Sequence, residues 1–284
     1  MRAVKVRCWG ARGSIPVSGP DFNRYGGDTT CIEIRSKNDA LLVIDAGTGI
    51  RRLGCRLTEE GRLDLTLLFT HTHWDHVLGL PFFKLLYNPS ARISLYGSPG
   101  LQGSIAKLLG RVMAPPLFPV PFVNLPSTIV SREWPGDVMQ VDSLRVRRIA
   151  LSHPNLGAGY RVEEDGRSFV FLTDNELSHP HRGGRSFEEY ADFCRGADLL
   201  VHDAEYTPEE YPERLGWGHS HVDDAARLAL AAGVKTLGLF HHNQERTDDG
   251  VDEMVRRCRA VFAGAGSGPV PDCLAVAQDS SFDL

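Results

Sequence analysis

The 284-residue sequence has six cysteines, Cys8, Cys31, Cys55, Cys194, Cys258 and Cys273, but no Cys-x-x-Cys pair. That spread gives no support to a cysteine zinc site. A chain of this length buries about three quarters of its unfolded surface, so it needs no disulfide framework. The thiols are expected to be reduced core residues. No apolar run reaches about 18 residues, so no membrane span is expected. The amino-terminal stretch Met1 to Arg7 alternates like a strand and has no apolar signal core. Runs of five like charges are absent and the net charge is −5, which argues against binding nucleic acid or membrane surfaces through bulk charge. Cytoplasmic residence is therefore expected. No Ser/Pro-rich linker divides the chain, so residues 1–284 are read as one domain, with its oligomeric state open.

What the chain does have is Thr70-His71-Thr72-His73-Trp74-Asp75-His76. It follows a strand-like run, Leu65 to Phe69, and precedes an apolar run, Val77 to Phe83. Histidines at i and i+2 of an extended segment point to one side. Asp75 and His76 can swing in from the strand-to-helix turn, giving nitrogen and oxygen donors that converge.

Other polar residues also fall where apolar runs stop. Leu41-Leu42-Val43-Ile44 ends in Asp45, read as a brace for the ligand loop through hydrogen bonds to its backbone. Leu144 to Ile149 leads to His153, and Ser168 to Leu172 leads to Asp174. Ala197 to Val201 ends in His202-Asp203-Ala204-Glu205, and Lys235 to Phe240 in His241-His242. Side chains at such strand ends converge when the strands share a sheet. Helices are expected at Ile50–Leu57, Val77–Tyr87, Leu101–Leu109, Phe187–Cys194, Val222–Ala232 and Val251–Phe262. Strands alternating with helices indicate a layered α/β fold.

Met113 to Pro126 breaks this rhythm with five prolines and no periodicity. It reads as a loop or lid, and a pocket wall or an inert connection both suit it. His179 and His181 are read as solvated loop residues. Ser220 or His219 lies near a helix start, where anions are favoured. The glycines of Gly10-Ala11-Arg12-Gly13-Ser14 allow unusual backbone angles or close approach.

Taken together, His71-x-His73-x-Asp75-His76, His153, Asp174 and a late strand-end histidine resemble the metallo-β-lactamase superfamily over nearly the whole chain. The resemblance implies a four-layer αβ/βα sandwich with two divalent metal ions at one edge. It assigns His71, His73 and His153 to one ion, Asp75, His76 and the late histidine to the other, and Asp174 as the bridge. His241, next to its strand, is preferred to His242 as that late ligand. Ligands without cysteine suit zinc first, with manganese or iron as alternatives.

Within the superfamily, Gly10 to Ser14, His202-Asp203-Ala204 and Gly218-His219-Ser220 are similar to motifs of the phosphodiesterase and ribonuclease Z-like branch. Asp203 stands where that branch has glutamate. The residues between Asp174 and Asp198 are too few for a long tRNA-gripping arm. The expected activity is hydrolysis of a small or cyclic phosphodiester by a metal-bridged hydroxide, with Asp75, His219 and Asp203 catalytic: Asp75 orients the nucleophile, and His219, oriented by Asp203, protonates the leaving oxygen. Alternatives are an RNA-processing nuclease, a thioesterase or lactonase on the same fold, and a non-enzymatic metal-binding sensor.

Overall fold

The structure is a computed structural model and describes residues 4–97, 105–266 and 269–284. In chain order the strands and helices are β1 (Lys5–Gly10), β2 (Cys31–Arg35), β3 (Leu41–Ile44), α1 (Ile50–Glu59), β4 (Asp64–Leu68), α2 (Trp74–Val77), β5 (Arg92–Tyr96), α3 (Ile105–Val112), β6 (Thr128–Arg132), β7 (Val138–Val141), β8 (Leu144–Leu151), β9 (Gly157–Glu164), β10 (Arg167–Leu172), α4 (Phe187–Cys194), β11 (Leu199–Asp203), α5 (Val222–Ala232), β12 (Thr236–Phe240), α6 (Asp248–Gly264), β13 (Asp272–Ala275) and β14 (Ser281–Asp283).

They build two seven-stranded mixed sheets, ordered β14-β1-β2-β3-β4-β5-β6 and β13-β12-β11-β10-β9-β8-β7. In the first sheet β3 to β6 run parallel, and in the second β10 to β13 do. The remaining strands, β14, β1 and β2 in the first sheet and β7 to β9 in the second, pair antiparallel.

Strand periodicity explains the layers. Leu41 and Val43 face outward onto α1, while Leu42 and Ile44 face the second sheet. On β11, Leu199 and Val201 face the first sheet and Leu200 lies under α5. Three apolar layers therefore separate four layers of structure, in the αβ/βα order. A strand covered on both faces carries a continuous apolar run, as Leu41 to Ile44 does. The alternating β2 suggests a half-buried strand, yet it is buried almost throughout because Glu33 accepts a hydrogen bond from Trp9 Nε1 at 2.8 Å inside a layer. The six cysteines are free thiols, five of them buried.

Local signals account for several boundaries. At α4, Ser186 and Glu189 form a reciprocal capping box. Gly233, at φ 61°, closes α5 in the left-handed conformation. The helix expected over Val77–Tyr87 is instead α2 followed by two 3-10 turns, Leu80–Phe82 and Lys84–Tyr87. Gly79 lies against the Gly47 carbonyl, where a β-carbon would come within 2.0 Å, and Pro81 follows. The Gly79 amide donates to the Ala46 carbonyl at 3.0 Å and Pro81 has no amide to donate, so the α-helical ladder stops there. Residues 101–104 of the helix expected at Leu101–Leu109 lie outside the described residues, and α3 continues to Val112. The segment after α3 is neither free nor regular: Met113 is buried, and Phe118, Phe122 and Leu125 pack on the helix-covered core of the first sheet. Among the described residues, no helix is long and apolar enough to cross a membrane.

Candidate metal centre

The carboxyl ends of β4, β10, β11 and β12 meet at one edge of the sandwich, with the end of β8 beside them. Their residues form two overlapping donor sets. His71, His73, His153 and Asp174 bring one donor atom each within 4.8 Å of one another, and so do Asp75, His76, Asp174 and His241. Asp174 belongs to both. Its Oδ2 lies 3.5 Å from His71 Nε2, 3.9 Å from His153 Nε2 and 3.4 Å from His241 Nε2, and its Oδ1 lies 3.3 Å from His76 Nε2. Asp75 Oδ2 is 3.2 Å from His76 Nε2 and 3.1 Å from His241 Nε2.

His76, His153 and His241 are each oriented by a partner on the other ring nitrogen. His76 Nδ1 meets Asp45 Oδ2 at 2.8 Å, and Asp45 also accepts from the Thr70 amide and hydroxyl, both at 2.7 Å. Asp45 is thus the brace expected of it. His153 Nδ1 donates to the Gly218 carbonyl at 2.9 Å. His241 Nδ1 meets Glu205 Oε2 at 2.9 Å, and Asn243 holds the other oxygen of Glu205 at 2.7 Å. Asp75 accepts from the Ser14 amide at 3.0 Å.

The backbone carries strain at the same points. Asp45, Asp174 and His241 have φ of 63°, 54° and 59°. Left-handed conformations of this kind in non-glycine residues cost on the order of 1–3 kcal/mol and concentrate at functional sites. The turn after each strand aims the side chain inward.

Electrostatics separates the two sets. Burial holds His71 well below the usual imidazole range, lowers His73 and brings His153 to about 3. These rings are neutral and keep the lone pair a metal needs. For Asp75 burial pushes upward, but His76 and His241 overcome it and hold the carboxyl well below its ordinary value. Asp174 is likewise held low against burial by His241, His76 and His71.

The donors fit two divalent ions. Nε2 of the neutral His71 is buried without a hydrogen-bond partner, an arrangement that costs about 1–3 kcal/mol unless a cation takes the lone pair. Burial of His76 is instead outweighed by Asp75 and Asp174, which raise its imidazole well above the ordinary range in the place a cation would fill. Ligands about 2.1 Å from a metal in a tetrahedron stand about 3.4 Å apart, which matches the separations around Asp174.

Beside the second set, His219 stacks on His241 with ring centroids 4.6 Å apart. Its Nδ1 is 2.6 Å from Asp203 Oδ2 and 3.4 Å from Glu205 Oε2. Burial opposes the charged imidazole, yet Glu205 and Asp203 raise it to about 9. Asp203 is raised too, chiefly by burial. Asp203 Oδ1 accepts from the Glu205 amide at 3.0 Å, which leaves Oδ2 to pair with His219 Nδ1, and the charges of Glu205 and Asp203 favour the proton on the imidazole.

The remaining histidines face elsewhere. His242 Nε2 donates to the Val276 carbonyl at 2.9 Å, leaving His241 as the residue that meets the donor sets. His202 sits between the Asp203 carbonyl and Asn175. His181 is not simply solvated: it meets Glu176 at 2.7 Å, and the same carboxylate accepts from the Gly216 and Gly218 amides at 2.7 Å each. Ser220 offers no free anion site, since its hydroxyl bonds the Asn175 carbonyl and the Leu177 amide. Gly10 and Gly13 serve close approach: a β-carbon on Gly13 would come within 2.3 Å of the His241 ring.

Glu205 and Ser14 were not expected at the site. Glu205 had a legible signal, since it lies two residues beyond Asp203 at the end of β11. The Ser14 contact is made by a backbone amide and has no sequence signature.

A four-layer αβ/βα sandwich with histidine and aspartate donors gathered at its strand ends defines the metallo-β-lactamase fold. Residues 41–242 match the family described as the beta-lactamase superfamily domain, and the chain belongs to that superfamily. It is 27% identical to ribonuclease Z of Haloarcula marismortui, with 92% of this chain and 93% of that protein covered. Of solved structures, the metallo-beta-lactamase fold protein YhfI of Bacillus subtilis superposes with a TM-score of 0.71 at 15% identity, covering 99% of both chains. A diphosphatase of the PhnP family gives a TM-score of 0.67 at 17% identity, covering 99% of this chain and 98% of its own.

Proposed function

We propose that the chain is a metal-dependent phosphoric diester hydrolase acting on a small or cyclic phosphodiester, organised as one domain over residues 1–284 with the 113–126 segment walling its pocket. Two donor sets that share Asp174, with His219 paired to Asp203 beside them, carry the reading. His71, His73 and His153 would hold one ion, and Asp75, His76 and His241 the other, with Asp174 between them; zinc suits this set first, and manganese or iron also suit it. A bound pair of divalent ions supplies a nucleophilic water near neutral pH and neutralises charge on the phosphoryl oxygens.

The chain's own residues do the rest. Asp75, held ionised and anchored by the Ser14 amide, orients the proton of the attacking water. His219 Nδ1 stays bonded to Asp203, which leaves Nε2 to give a proton to the leaving alkoxide. Glu205 keeps the positive charge on His219 and aims His241.

The ribonuclease Z relative supports a second reading, cleavage of RNA. The net charge of −5 and the short stretch between Asp174 and Asp198, whose one regular element is α4, weigh against a long RNA-gripping surface. A thioesterase releases a weakly basic thiolate and would have little need of His219 as a proton donor. Metal-loaded protein is expected to hydrolyse bis(p-nitrophenyl) phosphate, and His73→Ala to lose that activity. Full activity in the variant would end the proposal. Cleavage of a tRNA precursor with no turnover of small diesters would favour the second reading.

A further inference from the structure

Thr72 and Trp74 stand on either side of His73, at the end of the ligand loop and the start of α2. Both line a cavity of about 480 Å³, a size usual for a small-molecule site. Phe82, from the turn after α2, lines it as well. Arg111 from α3 and Leu117 and Phe118 from the 113–126 segment complete the wall. Trp74, Phe82 and Leu117 are 73%, 60% and 74% exposed, an unusual outlay of large apolar side chains in one place. None of the three is needed by the core. The Phe82 and Phe118 rings meet edge to face with centroids 5.8 Å apart, which leaves flat aromatic surface towards the cavity.

We propose that this cavity is the substrate's retained-group subsite and that it takes an aromatic ring, aryl or nucleobase, of an anionic phosphodiester. The inference rests on the hydrolase reading and names its substrate class. Three observations carry it. The cavity adjoins the centre, because its lining residues Thr72 and Trp74 flank the donor His73 in the chain. Its wall is aromatic, and a flat ring stacks on such side chains whatever its substituents. Its charged wall residue is Arg111, whose sign complements a phosphodiester and whose guanidinium also packs on π faces. A sugar phosphate without a ring system would leave Trp74 and Phe82 in water.

The test uses metal-loaded full-length protein and p-nitrophenyl phosphodiesters that share one leaving group and retain methyl, phenyl or decyl. The phenyl ester is expected to exceed the methyl ester in kcat/KM by about tenfold or more, the range set by one aromatic stack. Trp74→Ala and Phe82→Ala are expected to reduce that ratio by about the same factor. A ratio near one, a ratio unchanged in both variants, or a preference for decyl over phenyl would overturn the subsite. Calorimetric titration with adenosine 5′-monophosphate tests it separately from turnover. Its Kd is expected to rise about tenfold in Trp74→Ala, while Val270→Ser, an exposed change far along the chain from the cavity wall, leaves it in place. Equal Kd in wild type and Trp74→Ala would overturn the proposal. Nucleotide binding lost in Trp74→Ala, with no ester turned over by the wild type, would uphold the subsite and end the hydrolase reading instead.

Discussion

The imidazole of His219 donates from Nδ1 to Oδ2 of Asp203 across 2.6 Å, while the other oxygen of Asp203 is taken by the Glu205 amide. Burial opposes the charged ring, but Glu205 and Asp203 outweigh it and favour the imidazolium, with Nδ1 turned to Asp203. Although Asp203 is one methylene shorter than the glutamate of the similar motif, it reaches because β11 runs one residue past the histidine it follows and carries the carboxylate to the site edge.

A proton donor matters in proportion to the basicity of what leaves. His219→Ala is expected to cut kcat on a diester with an alkoxide leaving group by about 10²–10⁴, the usual contribution of general acid catalysis. On a p-nitrophenyl ester the loss should be much smaller. Equal losses on both, measured by steady-state kinetics, would assign His219 a structural role.

Asp45 acts through His76 and Thr70. Asp45→Ala is expected to weaken metal binding by about 10–100-fold, the cost typical of losing a carboxylate behind a ligating histidine. Competition with a chromophoric chelator reads this directly. Unaltered affinity would show that His76 needs no such partner.

The glycines behind the rings give a paired prediction. A β-carbon on Gly13 would lie 2.3 Å from the His241 ring, and one on Gly218, at φ 96°, would lie 2.0 Å from His153 Nδ1. Gly13→Ala should disturb the set of Asp75, His76 and His241, and Gly218→Ala the set of His71, His73 and His153. Each is expected to retain about one of two ions by elemental analysis. Loss of neither ion in both variants would count against the assignment of ligands to the two sets.

Acid stability should depend on a carboxylate far from the centre. Burial pushes Asp198 up, but Lys235, the Ser168 amide and Arg167 outweigh it and hold the carboxyl below its ordinary value. A depressed carboxyl stabilises the fold above its unfolded pKa of about 3.9 and loses that contribution as pH falls through the folded value. Asp198→Asn should therefore lower the melting temperature at neutral pH and converge with wild type in acid. A constant difference at every pH would contradict this.

Much of this architecture is legible from the residues. Leu41 to Ile44 announces a strand covered on both faces, and Ser186 with Glu189 marks where α4 begins. The histidines of the ligand loop, with His153, Asp174 and His241 at strand ends, point to one edge because parallel strands deliver their ends together. Other features are not local. The break after α2 goes with the Gly79 amide bonding the Ala46 carbonyl, a contact between distant turns. The exposed β6 and the short β14 carry little hydrophobic pattern and pair only because a neighbouring edge is present. Glu176, which ties His181 to the Gly216–Gly218 turn, gathers partners that no spacing links.

The central claim is that one carboxylate, Asp174, serves two metal sites at once. Metal content of the Asp174→Ala variant beside the wild type, by elemental analysis after equilibration with limiting zinc, tests it most directly. The wild type should hold about two ions per chain, and the variant well under one, because both donor sets lose a shared ligand. A variant that keeps two ions with wild-type affinity would contradict the account.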